Sequence, residues 1–168
     1  MWEWNMNKKT LINMIALIIG AVIGVMIGIY VTFKAMVDRL ARYRELSEKH
    51  LNIMEIFKEW FIFLDSGKTM EKYFHNHNYK TIAVYGVGFL GECLVRQLIK
   101  TDVRILYIID QKADNAYLGI PIRKLDEPLD KVDVIVVTPV YYFYSIKKQL
   151  SEKTDADIIS IEEIFNEE

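Results

Sequence analysis

The pattern of hydrophobic and polar positions changes twice along the chain. Residues 10–33 carry no charged side chain, and at ~1.5 Å per residue a helix of this length exceeds the ~30 Å hydrocarbon core of a bilayer. Residues 34–64 contain neither Gly nor Pro, and their apolar side chains recur at alternating four- and three-residue steps, which predicts a long helix. We therefore divide the chain into a short tail (1–9), a transmembrane helix (10–33), a juxtamembrane helical stalk (34–77) and a globular domain (78–168).

Short apolar runs without polar alternation follow in the globular domain, as expected of parallel strands that are covered on both faces. These predicted strands are residues 82–85, 105–109, 134–137 and 158–161. Helix-type spacing occupies residues 89–100 and 141–151, and right-handed crossovers would place all the strands in one sheet with the first strand central. The predicted fold class is α/β: a small parallel sheet preceded by a single transmembrane helix and a long juxtamembrane helix.

Glycines at G-x-G-x-x-G spacing connect the first predicted strand to the first helix of this domain. Gly86 would permit the tight turn, Gly88 would leave room for a phosphate, and Gly91 would let helix and strand pack closely. The free N–H groups at the start of the helix favour an anion. The pattern predicts a Rossmann-like βαβ unit whose phosphate-facing segment also includes Val87, Phe89 and Leu90.

An acidic residue stands at the end of the second predicted strand. Asp110 lies 19 residues after Gly91, where a carboxylate would accept a hydrogen bond from a ribose hydroxyl. A nucleotide in this place is one interpretation. The other is a Rossmann fold whose site has decayed into a scaffold.

The order of motifs carries a family resemblance over residues 79–165. The segments are YGVGFLG (85–91), YIID (107–110), GIPI (119–122) and DVIVVTP (133–139). They resemble the Rossmann-like, non-catalytic domain of membrane-bound bacterial nucleotide-sugar epimerases and dehydratases of capsule synthesis. They are also similar to the N-terminal nucleotide-sugar-binding domain of bacterial sugar acyltransferases.

This resemblance implies a ligand and two further site residues. The ligand would be NAD(P) or a nucleotide-sugar, and Thr138 and Pro139 would line the crevice at the strand ends. The chain departs from both families because it stops before any catalytic domain. The resemblance therefore implies a cytoplasmic binding module in surface-polysaccharide biosynthesis, with no catalytic residues, and polysaccharide-assembly proteins as possible partners.

Two other functions remain open from the residues alone. Tyr144 and Lys148 have the Tyr-x-x-x-Lys spacing of short-chain dehydrogenases and epimerases, which would make the chain an NAD(P)-dependent oxidoreductase or epimerase. Those enzymes carry the pair on a later helix of a full nucleotide-binding domain, so we interpret both residues as solvated.

The aromatic run at residues 141–144 would cover a base or sugar, or contact a partner protein. The third possible function is a membrane-tethered interaction scaffold without a ligand.

Charges flanking the apolar segment predict its orientation. Lys8 and Lys9 precede it, whereas five basic residues follow within residues 34–49. The positive-inside rule then gives a single-pass membrane protein with its C-terminal domain in the cytoplasm. A cleavable signal peptide would have a shorter apolar region and a small-residue cleavage site.

Two stripes predict a parallel homodimer in the bilayer. Gly20, Gly24 and Gly28 recur every four residues and would allow close helix packing. Beyond the membrane a heptad stripe, interrupted by two polar residues, indicates a coiled coil. Its members are Met36, Leu40, Tyr43, Ser47, His50, Met54, Phe57, Phe61 and Leu64. Residues 53–64 are also apolar enough to dock on the globular domain, so we expect a coiled-coil stalk first and a docking helix second.

Composition narrows the remaining chemistry. With 21 basic and 23 acidic residues and no concentrated basic face, the chain lacks the charge distribution of a nucleic-acid-binding protein. Cys93 is the single cysteine, and we interpret it as a buried structural residue. His75 and His77 stand two residues apart in a polar segment. We expect no Cys or carboxylate at a spacing suited to share a metal ion with them, so no metal site is predicted.

Overall fold

The computed structural model describes residues 7–111 and 116–166. The chain divides into two compact units, with the division between His50 and Leu51. The first unit contains most of one long helix. The second contains the end of that helix, a six-stranded sheet and four further helices among the described residues.

The long helix α1 extends from Lys8 to Asp65 and includes the whole predicted transmembrane segment. Its most apolar 18-residue window has a mean hydropathy of 2.7 and no residue of that window is buried, so the helix is long and apolar enough to cross a membrane. Glu45 and Lys49 form an i,i+4 ion pair of 2.7 Å on its surface. The helix ends before Gly67, whose φ of +76° is readily adopted only by glycine.

Five parallel strands and one antiparallel strand form the sheet. The strands are β1 (Thr81–Tyr85), β2 (Arg104–Ile109), β3 (Ala116–Tyr117), β4 (Ile120–Arg123), β5 (Val134–Val137) and β6 (Asp157–Ser160). Their order is β3-β4-β2-β1-β5-β6, so the first strand is central, as predicted. Among the strands of the described residues, only β3 runs antiparallel, against β4.

Two details of the sheet differ from the sequence prediction. The region between the second and third long strands, where no strand was predicted, contributes β3 and β4, and β4 pairs with β2 in parallel. A positive φ at both Leu118 and Gly119 makes the tight turn between these two short strands. The last strand ends at Ser160 rather than at Ile161, because Ser160 caps the next helix.

Helices cover both faces of the sheet, as in doubly wound α/β folds. They are α2 (Met70–Asn76), α3 (Phe89–Leu98), α4 (Phe143–Ser151) and α5 (Ile161–Phe165), with a 3₁₀ turn at Val140–Tyr142 before α4. Alternate residues of β1 divide between the two faces. Ile82 and Val84 pack with α2, α3, α5 and the end of α1, whereas Ala83 packs with α4.

The end of α1 packs on the first of these faces. Ile56, Trp60 and Phe63 are buried there, one helical turn apart. Trp60 stacks on Phe165 of α5, and Phe63 contacts the same ring edge to face. The expectation that residues 53–64 dock on the globular domain is thus confirmed. The docking face differs from the heptad stripe, however: of the stripe's members in this segment, Phe57 is partly buried against the core, whereas Met54, Phe61 and Leu64 remain exposed.

Side-chain caps fix the start of two short helices. The Thr69 hydroxyl accepts a hydrogen bond from the Lys72 N–H at the start of α2. At the start of α5, Glu163 accepts from the backbone N–H of Ser160 at 2.8 Å, and the Ser160 hydroxyl accepts in return from the helix backbone. Both use residue types that are common sequence signals of a helix start: Thr at an N-cap and the Ser-x-x-Glu capping box.

Candidate functional site

The candidate site lies at the carboxyl edge of the sheet, where β1 and β5 are neighbours. From β1 the chain crosses through α3 to β2 on one side, and from β5 it crosses through α4 to β6 on the other. Strand order therefore reverses between β1 and β5. In open α/β sheets, the loops on either side of such a reversal diverge and leave a crevice at the strand ends.

Gly86 and Gly91 have structural reasons to be glycine. Gly86 has a φ of +89°, which other residues rarely adopt. A Cβ on Gly91 would overlap the carbonyl oxygen of Gly86, far inside van der Waals contact. The first and third glycines of the motif therefore perform the predicted roles: a tight turn and a close approach of helix to strand.

Gly88 differs from both of its neighbours in the motif. Its φ is −72°, and a Cβ there would meet no atom of the described residues within 4 Å. It is the N-cap of α3 and, as a glycine, makes no side-chain capping hydrogen bond. The place of a side chain at Gly88 is therefore open, and it adjoins the first turn of α3, whose N–H groups are of the kind that bind phosphate at other helix N-termini.

Asp110 lies against this glycine turn from the end of β2. Its carboxylate accepts a hydrogen bond from the backbone N–H of Val87 at 2.9 Å. The Asp110 N–H in turn donates to the carbonyl of Arg123 in β4, so the carboxylate is held on a paired strand. The residue predicted to contact a ribose thus also orients the turn between Gly86 and Gly88.

Thr138 and Pro139 close the turn from the β5 side. The Thr138 hydroxyl lies 3.0 Å from the Gly86 carbonyl oxygen and 3.1 Å from that of Tyr85, and it is the donor in this pair of contacts. The Pro139 ring would touch any side chain at Gly86. All the predicted site segments therefore converge within the described residues.

Phe89 and Leu90 contribute their backbone to this site rather than their side chains. Leu90 is buried in the core beneath α3. The Phe89 ring is 65% exposed, and its centroid lies 4.9 Å from that of Phe57 of α1, with the two rings tilted to each other. Their N–H groups belong to the first turn of α3 and have no i−4 carbonyl within the helix.

Arg123 lies at the same sheet edge and was not predicted. It ends β4, and its guanidinium pairs with Asp130 and donates to the Pro128 carbonyl. It also stacks over the buried ring of Tyr107, whose pKa burial raises to about 12. No motif identified this arginine because β4 itself was not recognised in the sequence.

Tyr85 is the titratable side chain nearest to this turn in sequence. Burial raises its pKa, and the charge of Asp110 raises it further. The phenol therefore stays protonated across the physiological range.

The Tyr-x-x-x-Lys pair lies on the surface of α4. Tyr144 is 86% exposed, and Lys148 is exposed as well. The interpretation of both residues as solvated is confirmed. The preceding aromatic residues Tyr141 and Tyr142 are about half exposed and contact each other edge to face at 5.2 Å.

Cys93 on α3 is only partly buried and lines an apolar groove of about 480 Å³ with Phe57, Trp60 and Phe61. The expectation of full burial is therefore met in part. Desolvation raises the pKa of its thiol. A raised pKa lowers the thiolate fraction and favours the structural role.

Comparison of this chain with protein-family models, with curated proteins and with solved structures finds no significant match.

Proposed function

We propose that this chain is a membrane-anchored binding module for a nucleotide or nucleotide-sugar, and that it does not catalyse a reaction. Gly88 is the observation that carries the proposal. The backbone needs glycine at Gly86 and Gly91, whereas at Gly88 neither φ nor packing requires it. A serine or aspartate would also cap α3 better than glycine does. A phosphate bound against the backbone explains why the position has no side chain.

Neighbouring groups fit the rest of such a ligand. Asp110 is fixed beside the turn through Val87 and has carboxylate oxygens suited to ribose hydroxyls. The half-exposed rings of Tyr141 and Tyr142 begin two residues after Pro139 and offer apolar surface to a base or sugar. NAD(P) and nucleotide-sugars share these features, and both are implied by the family resemblance described above.

The anchor and the location belong to the same proposal. The apolar part of α1 would cross the bilayer, and the excess of basic residues after it would keep the α/β unit in the cytoplasm. The setting that we propose is surface-polysaccharide biosynthesis, where a cytoplasmic binding module would hold a nucleotide-sugar close to the membrane.

Assembly as a parallel homodimer completes the proposal. Side chains added at Gly20, Gly24 or Gly28 would meet nothing within 4 Å in a single chain. This surface is open to a second α1, and small residues let two helix backbones approach closely. The exposed Leu40 and Tyr43 would extend the contact outside the bilayer.

The test is titration calorimetry of the full-length protein in mild detergent with NAD(H), NADP(H) and UDP-sugars. We expect wild type to bind one of these classes and Gly88→Asp to bind none, because a carboxylate would occupy the place of the phosphate. Asp is a favoured N-cap, so this variant should remain folded. Gln149→Asp adds the same charge on exposed α4 and should bind like wild type.

Two results would contradict the proposal. If wild type binds none of these compounds at millimolar concentration, the scaffold interpretation replaces it. If wild type shows NAD(P)-dependent turnover that Tyr144→Phe abolishes, the chain is an oxidoreductase or epimerase.

A further inference from the structure

Three potential metal ligands meet away from the glycine turn. Glu71 and His75 belong to α2, and Asp102 belongs to the connection between α3 and β2. One donor atom from each residue lies within 4.8 Å of the other two. The expectation that no carboxylate stands at ligand spacing from His75 is therefore wrong: Glu71 is one helical turn before it.

The separations fit a small divalent ion. The Nε2 atom of His75 lies 2.8 Å from a carboxylate oxygen of Asp102. Two ligand atoms on a tetrahedral zinc ion are about 3.3–3.6 Å apart when bonds are ~2.0–2.2 Å long. Small rotations of these exposed side chains would convert the present hydrogen bond into two bonds to one ion, with Glu71 as the third ligand.

The backbone under each donor is already fixed. In α2, the Thr69 cap and the buried side chains of Met70 and Phe74 hold the helix in place, and i,i+4 spacing puts Glu71 and His75 on one face. Next to Asp102, the Thr101 hydroxyl donates to the Leu98 carbonyl and accepts from the Val103 N–H. An ion would therefore bind without ordering new backbone, which favours affinity.

Charge also favours a cation at this place. The two carboxylates of Glu71 and Asp102 lie close together and repel each other when both are ionised. The His75–Asp102 hydrogen bond engages only one of them. A divalent ion would neutralise both carboxylates and use the imidazole nitrogen as a third ligand.

We propose that Glu71, His75 and Asp102 bind a zinc ion that links α2 to the α3–β2 connection. An imidazole with two carboxylates suits zinc rather than magnesium or calcium, which prefer all-oxygen sites. Water would complete the tetrahedron, since His75 and Asp102 are 51% and 69% exposed. Because the ligands come from segments 27 residues apart, the bound ion stabilises the folded state over the unfolded chain.

The experiment uses full-length, tag-free protein in mild detergent, stripped of metal with a chelator. Zinc binding is measured by calorimetry against a competing chelator, and thermal unfolding is followed through tryptophan fluorescence. We expect one zinc ion bound per chain and a midpoint temperature of thermal unfolding that rises with zinc concentration. Magnesium and calcium at the same concentrations should leave the midpoint unchanged.

Variants separate a metal site from an ordinary ion pair. Asp102→Asn keeps a hydrogen-bond acceptor for His75 but removes an anionic ligand. It should weaken zinc binding by at least about tenfold, because losing even an outer-shell partner typically costs ~10–100-fold. His75→Ala and Glu71→Gln should do the same. His50→Ala is the control, since His50 is exposed on α1 outside the cluster, and it should bind zinc as wild type does.

Three results would overturn the proposal. They are wild type that fails to bind zinc at micromolar concentration, zinc affinity unchanged in Asp102→Asn and His75→Ala, and a thermal shift produced equally by magnesium or calcium.

Discussion

The carboxylate of Asp110 accepts a hydrogen bond from the backbone N–H of Val87 at 2.9 Å. This bond connects the end of β2 to the turn after β1, two segments that only the folded sheet brings together. It fixes the peptide between Gly86 and Gly88, and hence the position of the open cap of α3. The acidic residue therefore supports the turn whether or not a ligand is bound.

Replacement of Asp110 should lower both stability and ligand affinity. Asp110→Ala leaves a partly buried N–H without its acceptor, which costs about 1–2 kcal/mol in the free energy of unfolding. Asp110→Asn retains an acceptor oxygen and should lose less. Thermal or denaturant unfolding followed by tryptophan fluorescence gives the comparison. Equal stability of wild type and Asp110→Ala would show that this hydrogen bond does not hold the turn.

The same substitution at two glycines of the motif should have opposite outcomes. Gly91→Ser introduces a Cβ that overlaps the Gly86 carbonyl, so helix and strand must separate at a cost of about 3 kcal/mol or more. Gly88→Ser meets open space and supplies a good N-cap, so its stability should stay within about 0.5 kcal/mol of wild type or rise. Unfolding of the two variants side by side measures this difference, and similar losses at both positions would contradict it.

Asp133 should stabilise the domain in a pH-dependent way. One of its carboxylate oxygens accepts hydrogen bonds from the N–H groups of Lys80 and Thr81 and from the Thr81 hydroxyl, at 2.7–2.9 Å. These bonds favour the ionised form and lower its pKa below the ordinary 3.8. The stabilisation is therefore fully present above that value and is lost as the pH falls through the folded-state pKa.

Asp133→Ala measures this contribution. We expect a loss of about 1 kcal/mol at pH 7, allowing for solvent screening of an exposed group. The difference from wild type should stay constant down to the ordinary carboxyl pKa and shrink below it. Unfolding curves across this pH series test whether the stability difference between wild type and Asp133→Ala shrinks on acidification. A difference that grows would refute the stabilising role of the ionised Asp133.

The docking face of α1 should be separable from its exposed stripe. Phe63 is buried against Phe165, and Phe63→Ala should cost about 3–5 kcal/mol. Phe61, two residues earlier, is 72% exposed, and Phe61→Ala should change stability by no more than about 0.5 kcal/mol. Thermal unfolding of both variants provides the measurement. Comparable losses would mean that α1 docks through a different face.

The homodimer proposal predicts a specific crosslink. In a Cys93→Ser background, Leu40→Cys places the only thiol on the heptad stripe, and mild oxidation in membranes should trap a disulfide-linked dimer. Asp38→Cys, two residues earlier and off the stripe, should crosslink poorly. Non-reducing electrophoresis distinguishes the two. Monomeric Leu40→Cys protein that remains folded and inserted would exclude a parallel stalk.

Local sequence signals account for the central part of the fold and for most of the candidate site. Continuous apolar runs identified β1, β2 and β5, and glycine spacing identified the turn into α3. Thr69, Ser160 and Glu163 marked helix starts through hydrogen bonds that span at most three residues. Such features are visible in sequence because their causes are local: strand propensity, glycine conformation and capping.

Other features were decided only by tertiary packing. The heptad pattern predicted Met54, Phe61 and Leu64 as contact residues, yet the folded domain buries Ile56, Trp60 and Phe63 instead. The apolar surface of this helix is broad, so the shape of the surface on which it packs determines which side chains are buried. The short strand β4 gains its hydrogen bonds from β2, so its own four residues gave too weak a signal.

The sequence by itself determined the apolar length of α1, the strand–glycine–helix unit around Gly86 and Gly91, and the acidic residue at the end of β2. The tertiary structure decided that Asp110 bonds to Val87, that Thr138 reaches the Gly86 carbonyl, and that Asp102 meets His75 and Glu71. The physical reason is separation along the chain. Each of these contacts joins segments that are more than 20 residues apart and that meet only when the parallel sheet and its covering helices pack together.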